Sequence, residues 1–125
     1  MSELESQRGH PDGPMSAALS NAVVRLVREY TGRGPTRAQA HISGDLVTVV
    51  MADALTKGER SLVGDGKGEL VRALRHEFQG TMRRDMVDAV ESITERKVIA
   101  FMSDNHVEPD MAIEAFVLEP RPAVA

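Results

Sequence analysis

Two long stretches of the chain place their apolar residues on one side of a helix. From about 15 to 30, apolar side chains recur at i, i+3, i+4 and i+7, which is the spacing of a single buried helix face. Gly32 and Pro35 follow this stretch, and they predict a left-handed cap and then the end of the helix. A second helix is predicted from about 69 to 94 by one apolar stripe: Leu70, Leu74, Phe78, Met82, Met86, Val90 and Ile93.

Four shorter runs are rich in apolar or alternating residues, as strands are. They lie at 36–42, 46–51, 97–102 and 111–118. Ser43-Gly44-Asp45 separates the first two runs and predicts a hairpin turn. The second run is almost entirely apolar, which predicts a central strand. The polar segment 103–110 joins the last two runs and predicts a turn-rich linker.

A short helix is predicted between the two pairs of strands. Thr56 and Glu59 have the spacing of a capping box, in which each side chain accepts a hydrogen bond from the other residue's backbone N–H. The three glycines of segment 64–68 then end this helix. The order is αββ-ααββ, which predicts an α+β fold with a single, mainly antiparallel four-stranded sheet and helices packed on one face.

The two halves of the chain share a pattern when they are shifted by 63 positions. Thr31 then falls on Thr94 and Arg33 on Arg96, and the apolar positions of the two long helices coincide. Any two amphipathic helices align in this way, so the match alone does not require common descent. As architecture, it supports two αββ units that share one antiparallel sheet.

Length and composition indicate one globular domain. The chain has 125 residues, of which 42% are hydrophobic and 27% charged. We expect a leader at 1–14, one domain at 15–119 and a tail at 120–125. The first stretch has no apolar core of a signal peptide, and no segment reaches the roughly 18–20 apolar residues of a membrane-spanning helix, so the expected location is cytoplasmic, without membrane insertion.

Charge and residue usage limit the classes of partner and of chemistry that are compatible with the chain. A net charge of −4 argues against general nucleic-acid binding, and the absence of cysteine excludes thiol nucleophiles and Cys-ligated zinc. Aromatic residues are only 3% of the chain, and the 69–94 stripe is longer than one small core can cover. A homodimer is therefore predicted, with the stripe as part of its interface.

The most suggestive polar residues lie on the second long helix. Arg72, Arg75 and His76 are spaced i, i+3 and i+4, so they share a helix face that can bind a phosphate, a carboxylate or an acidic protein surface. A solvated face, balanced in part by Glu69, explains them equally well. Both interpretations remain open from the sequence.

Two further arginines are candidates for ligand or partner contacts. Arg33 lies in Gly32-Arg33-Gly34-Pro35, whose backbone N–H groups can bind an anion, although a helix cap followed by a strand start is the favoured explanation. The capping box accounts for Thr56 and Glu59 as structural residues but leaves Arg60 unexplained. Arg60 is therefore a candidate for a partner contact.

No pattern of catalytic, metal-binding or cofactor-binding residues is recognisable. The segment 64–68 lacks the spacing of a phosphate loop, and no serine lies in a G-x-S-x-G motif. His41 and His106 lack the spacing of zinc ligands, and the acidic residues near His106 lack the EF-hand pattern. These features predict a protein that is not an enzyme and holds no metal and no cofactor.

Three stretches resemble the signature sequences of the MpsC-like family. They are Tyr30 to Thr36, Leu55 to Leu62 and Arg96 to Asp104, and the resemblance extends from about 16 to 118. The resemblance implies an association with a bacterial cation-translocating, membrane-potential-generating system whose membrane-embedded work belongs to other subunits. It implies no catalytic residues.

The resemblance therefore favours a cytosolic accessory or regulatory protein with a membrane-transport protein as partner. The residues themselves keep two alternatives open. One is a homodimeric sensor that binds a small anion at the basic helix face, and the other is an unrecognised enzyme.

Overall fold

The computed structural model of the protein describes residues 13–122. In this range the elements are α1 (Gly13–Thr31), β1 (Arg37–Ser43), β2 (Leu46–Ala52), α2 (Lys57–Gly64), α3 (Gly68–Thr94), β3 (Val98–Val107) and β4 (Asp110–Leu118). The predicted α+β class and element order are confirmed. Most of the predicted leader at 1–14, and positions 123–125 of the predicted tail, lie outside the described residues.

The four strands form one antiparallel sheet in the order β1-β2-β4-β3. The predicted hairpin of β1 and β2 is present, and β3 and β4 form a second hairpin. The two hairpins join through β2 and β4, which are therefore the central strands. Gly44 has a φ of +59° in the first hairpin turn, a conformation that glycine adopts without strain. The prediction that the apolar run at 46–51 is a central strand is confirmed.

The core lies between one face of the sheet and the helices α1 and α3. Alternate strand residues point into it because successive side chains of a strand face opposite sides. The core side chains of the helices are aliphatic or Met, and the largest fully buried side chain is Phe116 of β4. The principal members of the core are Leu19, Val23, Val27, Val47, Val49, Met51, Met82, Met86, Val90, Phe116 and Leu118.

The buried side of α3 differs from the predicted stripe in the first half of the helix. Its buried residues are Val71, Arg75, Gln79, Met82, Met86, Val90 and Thr94. Of the predicted stripe, Met82, Met86 and Val90 are therefore buried, and Phe78 and Ile93 are partly buried against the core. Leu70 and Leu74 are 57% and 43% exposed. The first half of α3 contains Arg75, and the ion pair between Arg75 and Glu59 of α2 turns this arginine inward.

The strand β3 is longer than predicted and includes most of the segment 103–110. Residues 103–107 pair with the first half of β4, and the turn is confined to Glu108 and Pro109. The prediction of a long polar linker is therefore wrong. Polar residues are compatible with this strand because β3 is at the edge of the sheet, where Asp104 and His106 are exposed.

The near-repeat in the sequence has a structural counterpart at the C-terminal ends of α1 and α3. The Thr31 hydroxyl donates to the Val27 carbonyl over 2.8 Å, and the Thr94 hydroxyl donates to the Val90 carbonyl over 2.7 Å. Arg33 then donates to the carbonyl of the residue after β2, as Arg96 does to the carbonyl of the residue after β4. The two αββ units thus attach helix to sheet by equivalent contacts.

Candidate functional site

The face of the sheet opposite the core is not covered by any element of the described range 13–122. We call this surface the open sheet face. Cross-strand register identifies its residues, because directly paired residues point to the same side. It is formed by Arg37, Gln39, His41, Ser43, Leu46, Thr48, Val50, Ala52, Ala100, Met102, Asp104, His106, Met111, Ile113, Ala115 and Val117.

The middle of the open sheet face is apolar. Leu46, Met102, Met111 and Ile113 are 39% to 54% exposed, and these four account for more than half of the large hydrophobic residues that are exposed in the described range. Met111 and Ile113 are neighbours on β4, and Met102 is diagonal to Ile113 on β3. Val117 and Ala115 of β4 connect these three to Leu46, which pairs with Val117. A contiguous exposed apolar patch marks a surface that binds protein or another apolar partner.

The two outer strands give this face polar margins of different character. The β1 margin consists of hydrogen-bond donors, with Arg37, Gln39 and His41. The β3 margin carries the carboxylate of Asp104, which accepts a hydrogen bond from the Asn105 backbone N–H over 2.8 Å. The two central strands have no charged residue on this face.

A groove of about 410 Å³ opens at one end of the face, beside the β3–β4 turn. Met111, Ile113 and Val50 form its apolar floor, and Glu69 and Arg72 from the first turns of α3 line its other side. Of the predicted basic helix face, Arg72 lines the groove, whereas Arg75 and His76 do not. The groove therefore connects the open sheet face with Arg72.

The predicted basic face of α3 is not a single surface. Arg72 and His76 are exposed, but Arg75 is only 4% exposed and points into the interior. Its Nε donates to Glu59 Oε2 over 2.8 Å, and its Nη2 donates to the Ala54 carbonyl over 2.8 Å. The expectation that the Arg75 head reaches water is therefore wrong, because the carboxylate of α2 holds it inside.

Glu59 has two structural roles. Thr56 and Glu59 form the predicted capping box, with the Thr56 N–H donating to Glu59 Oε1 over 2.8 Å and the Glu59 N–H donating to Thr56 Oγ1 over 3.1 Å. The same carboxylate pairs with Arg75. Burial alone would raise the pKa of Glu59, but the hydrogen bonds from Arg75 and Thr56 hold it below its ordinary value. Glu59 is therefore an ionised partner of Arg75.

The structure brings the two remaining candidate arginines together. Arg33 Nη2 lies 3.0 Å from Asp53 Oδ2, and Arg60 Nη1 lies 3.3 Å from Asp53 Oδ1. Asp53 has a φ of +60° directly after β2. Two guanidinium groups thus share one carboxylate at this end of the sheet. The sequence gives no indication of this cluster, because 27 positions separate the two arginines and Asp53 was not a candidate.

The Gly32-Arg33-Gly34-Pro35 loop is a helix cap, as the favoured interpretation expected. Gly32 has a φ of +84°, and its N–H donates to the Arg28 carbonyl over 2.9 Å. A Cβ atom at Gly34 would lie 3.1 Å from Arg28 Nε, so glycine there leaves room for the Arg28 side chain. Both glycines are explained by local geometry.

One buried acid lies outside every predicted site. Glu114 of β4 is 2% exposed on the core side of the sheet, paired across the strands with Val49 and Ser103. Burial raises the pKa of Glu114 to about 7, and the nearby Ser103 hydroxyl offsets only part of this rise. Neither Glu114 Oε2 nor Ser103 Oγ has a hydrogen-bond partner among the described residues. Its position in β4 between Ile113 and Ala115 is the only sequence signal of this burial.

Within residues 13–122, no group of three or more His, Asp and Glu side chains is arranged to hold a metal ion. None of the helices described here is long and apolar enough to cross a membrane.

Comparison with known proteins gives one result. The sequence model of the family described as Na+-translocating membrane potential-generating system (MpsC) matches residues 12–120, nearly the whole chain. The chain belongs to the MpsC family. No curated protein and no solved structure matches it. The family description refers to a membrane Na+ system, and the fold and surfaces described above are those of a member of that family.

Proposed function

We propose that this chain is a non-enzymatic, cytosolic accessory protein of a membrane ion-transport system, and that it acts as a homodimer that associates through its open sheet face. The apolar middle of that face is the observation that carries the proposal, since such a patch is costly to leave in water. The family description supports the link to ion transport.

The polar residues of the chain also fit this function better than they fit catalysis. Arg75, Glu59 and Thr56 satisfy one another in the interior, where they hold α2 against α3. Arg33 and Arg96 attach the ends of the long helices to the sheet. Each of these side chains thus has a structural role, while the large uncovered surface is apolar.

The proposal is tested by deleting the gene in its host and measuring the membrane potential with a voltage-sensitive dye. We expect a lower potential in the deletion strain, restored by the wild-type gene and by Leu70→Lys, which places a charge on an apolar helix residue away from the open sheet face. Ile113→Lys, in the middle of that face, should not restore it. A deletion strain with normal potential would contradict the role in transport, and restoration by Ile113→Lys at equal protein level would contradict the role of the face.

A second candidate function is the binding of a small anion at the cluster of Arg33, Arg60 and Asp53. The observation in its favour is that two guanidinium groups share a single carboxylate, which leaves positive charge for an incoming oxyanion. Inorganic phosphate should then raise the melting temperature of the wild type but not of Arg60→Gln. Arg25→Gln, which removes an exposed arginine on α1, is the matched control and should respond as the wild type does.

A further inference from the structure

We infer that the open sheet face is covered by the same face of a second copy of this chain, with the two-fold axis parallel to the strands. The inference rests on the proposed function, because it takes the open sheet face as the binding surface. It also specifies the orientation of the dimer, that is, which edge strand of one sheet lies over which edge strand of the other.

The central strands make the face self-complementary in its middle. A two-fold axis parallel to the strands and midway between β2 and β4 places β2 of one copy over β4 of the other. Register fixes the level of each residue, since Val50 pairs with Ile113 and Ala52 with Met111. Val50 of one copy therefore lies over Ile113 of the other. Apolar side chains meet apolar side chains along both central strands, except at the level of Thr48, which lies over Ala115.

The same axis places unlike margins together. It brings β1 of one copy over β3 of the other, so Asp104 lies at the level of Gln39 of the second copy. Arg37 and His41 of the second copy are the next residues on that face, each roughly 7 Å along the strand from Gln39. The one carboxylate of the face thus has Gln39 of the other copy opposite it, with Arg37 and His41 of that copy diagonal to it, over His106 and Met102.

An axis perpendicular to the strands is less favourable. It places β3 over β3 in the reverse direction, so Asp104 of one copy lies over Met102 of the other. The carboxylate would then lose water without gaining a donor, and a charge buried in this way is strongly destabilising. The charges on the margins therefore favour the two-fold axis that is parallel to the strands.

The size of the face suits a dimer. Four strands about 4.8 Å apart and seven residues long at about 3.4 Å each cover roughly 450 Å² in projection, and the strands β1 and β2 have that length. The side chains that project from the sheet make its accessible area larger than this projected area. The accessible area is thus closer to the roughly 800 Å² that each partner of a stable interface buries.

The other candidates for an occupant fit less well. Residues 1–12 contain only Met1 and Leu4 as apolar residues, which is too few to cover the apolar middle of the face. A dimer through the apolar stripe of α3, as the sequence predicted, would bury Leu70 and Leu74 but would leave that middle exposed. The second copy, with its matching apolar strands and opposite margins, fits the whole face.

The inference is tested by sedimentation velocity on the full chain over the micromolar range, with folding of each variant checked by circular dichroism. We expect a wild-type dimer, a monomer for Ile113→Lys and an unchanged dimer for Leu70→Lys. If Ile113→Lys does not fold, Met102→Lys on the exposed β3 margin takes its place. Asp104→Arg should weaken the dimer at least about tenfold, and adding Arg37→Asp to it should restore the dimer to within about threefold of the wild type.

The outcomes separate this inference from the proposed function. If Ile113→Lys is monomeric but Asp104→Arg dimerises normally, or Arg37→Asp gives no rescue, the parallel axis is wrong and the role of the open sheet face stands. If the wild type is monomeric, or Ile113→Lys dimerises as the wild type does, both the inference and the proposed association through this face are overturned.

Discussion

Arg75 of α3 is held by Glu59 of α2 in the interior, with Nε and Oε2 2.8 Å apart and both side chains almost fully buried. The two residues are 16 positions apart, and the pair is the main polar link between their helices. Because the same carboxylate caps α2, the pair connects the start of one helix to the interior face of the other. If either partner is replaced, the charge of the other remains in the interior without a counter-charge.

The first prediction concerns this ion pair. Arg75→Gln should lower the free energy of unfolding by about 3–5 kcal/mol, because the Glu59 carboxylate is then left buried without its partner. Arg72→Gln, one turn earlier and exposed, should cost about 0–1 kcal/mol. Urea denaturation of both variants checks this. If the two variants lose equal stability, the Arg75–Glu59 pair does not hold α2 against α3.

The interior position of Arg75 also shows where sequence reasoning reached its limit. Local patterns predicted the helices, the first hairpin and the central strand, because they depend on short-range spacing that the fold preserves. They placed Arg75 outside because arginine is usually exposed, and only the tertiary contact with Glu59 reverses this. The meeting of Arg33 and Arg60 at Asp53 is likewise tertiary, since no local pattern connects a helix cap, a strand end and a helix.

Part of the evidence for an apolar open sheet face is visible in the sequence. In β4, large apolar residues occupy both faces, with Met111 and Ile113 on one side and Phe116 and Leu118 on the other. This pattern predicts a strand covered on both sides, whereas the described helices cover only one. The apolar stripe of α3 predicted that a partner binds on this helix, but the structure places the larger uncovered apolar surface on the sheet.

The second prediction separates the two halves of α3. Met86 is 1% exposed and belongs to the core, so Met86→Ala should cost about 2–5 kcal/mol in the free energy of unfolding. Leu74→Ala should cost less than about 1 kcal/mol, because Leu74 is 43% exposed and lies outside the core. Thermal or urea unfolding of both variants measures the difference. Equal losses would mean that the first half of α3 is as buried as the second.

The third prediction uses two glycines with opposite backbone requirements. Gly32→Ala should destabilise the protein by about 1 kcal/mol, since its φ of +84° is strained for any residue with a Cβ atom. Gly80→Ala should instead stabilise it by about 0.5–1 kcal/mol, because Gly80 lies inside α3 and alanine has the better helix propensity. A Cβ atom at Gly80 meets nothing within 4 Å, so no clash opposes the gain. Differential scanning calorimetry should therefore show melting temperatures that move in opposite directions, and a shared direction would contradict the backbone assignment.

The fourth prediction concerns the pH dependence that Glu114 creates. Its pKa is about 7 in the folded chain and near 4.5 when unfolded, so the folded state binds one more proton between these values. Stability from this group is therefore fully present below about pH 4.5 and is lost as the pH rises to about 7, by at most about 3 kcal/mol. Glu114→Gln removes this loss, so relative to the wild type it should gain stability steadily from pH 4.5 to 7 and no further above that.

The difference between the two proteins isolates Glu114, because other carboxylates such as Glu59 titrate equally in both. Glu59 has a lowered pKa, so its own contribution runs the opposite way and is lost as the pH falls. Glu69→Gln, at an exposed position in the first turn of α3, is the matched control for replacing a carboxylate with an amide outside the core. Urea denaturation at several pH values between 4 and 8 measures all three proteins. A difference between Glu114→Gln and wild type that stays constant across this range would mean that Glu114 does not retain its proton in the folded chain.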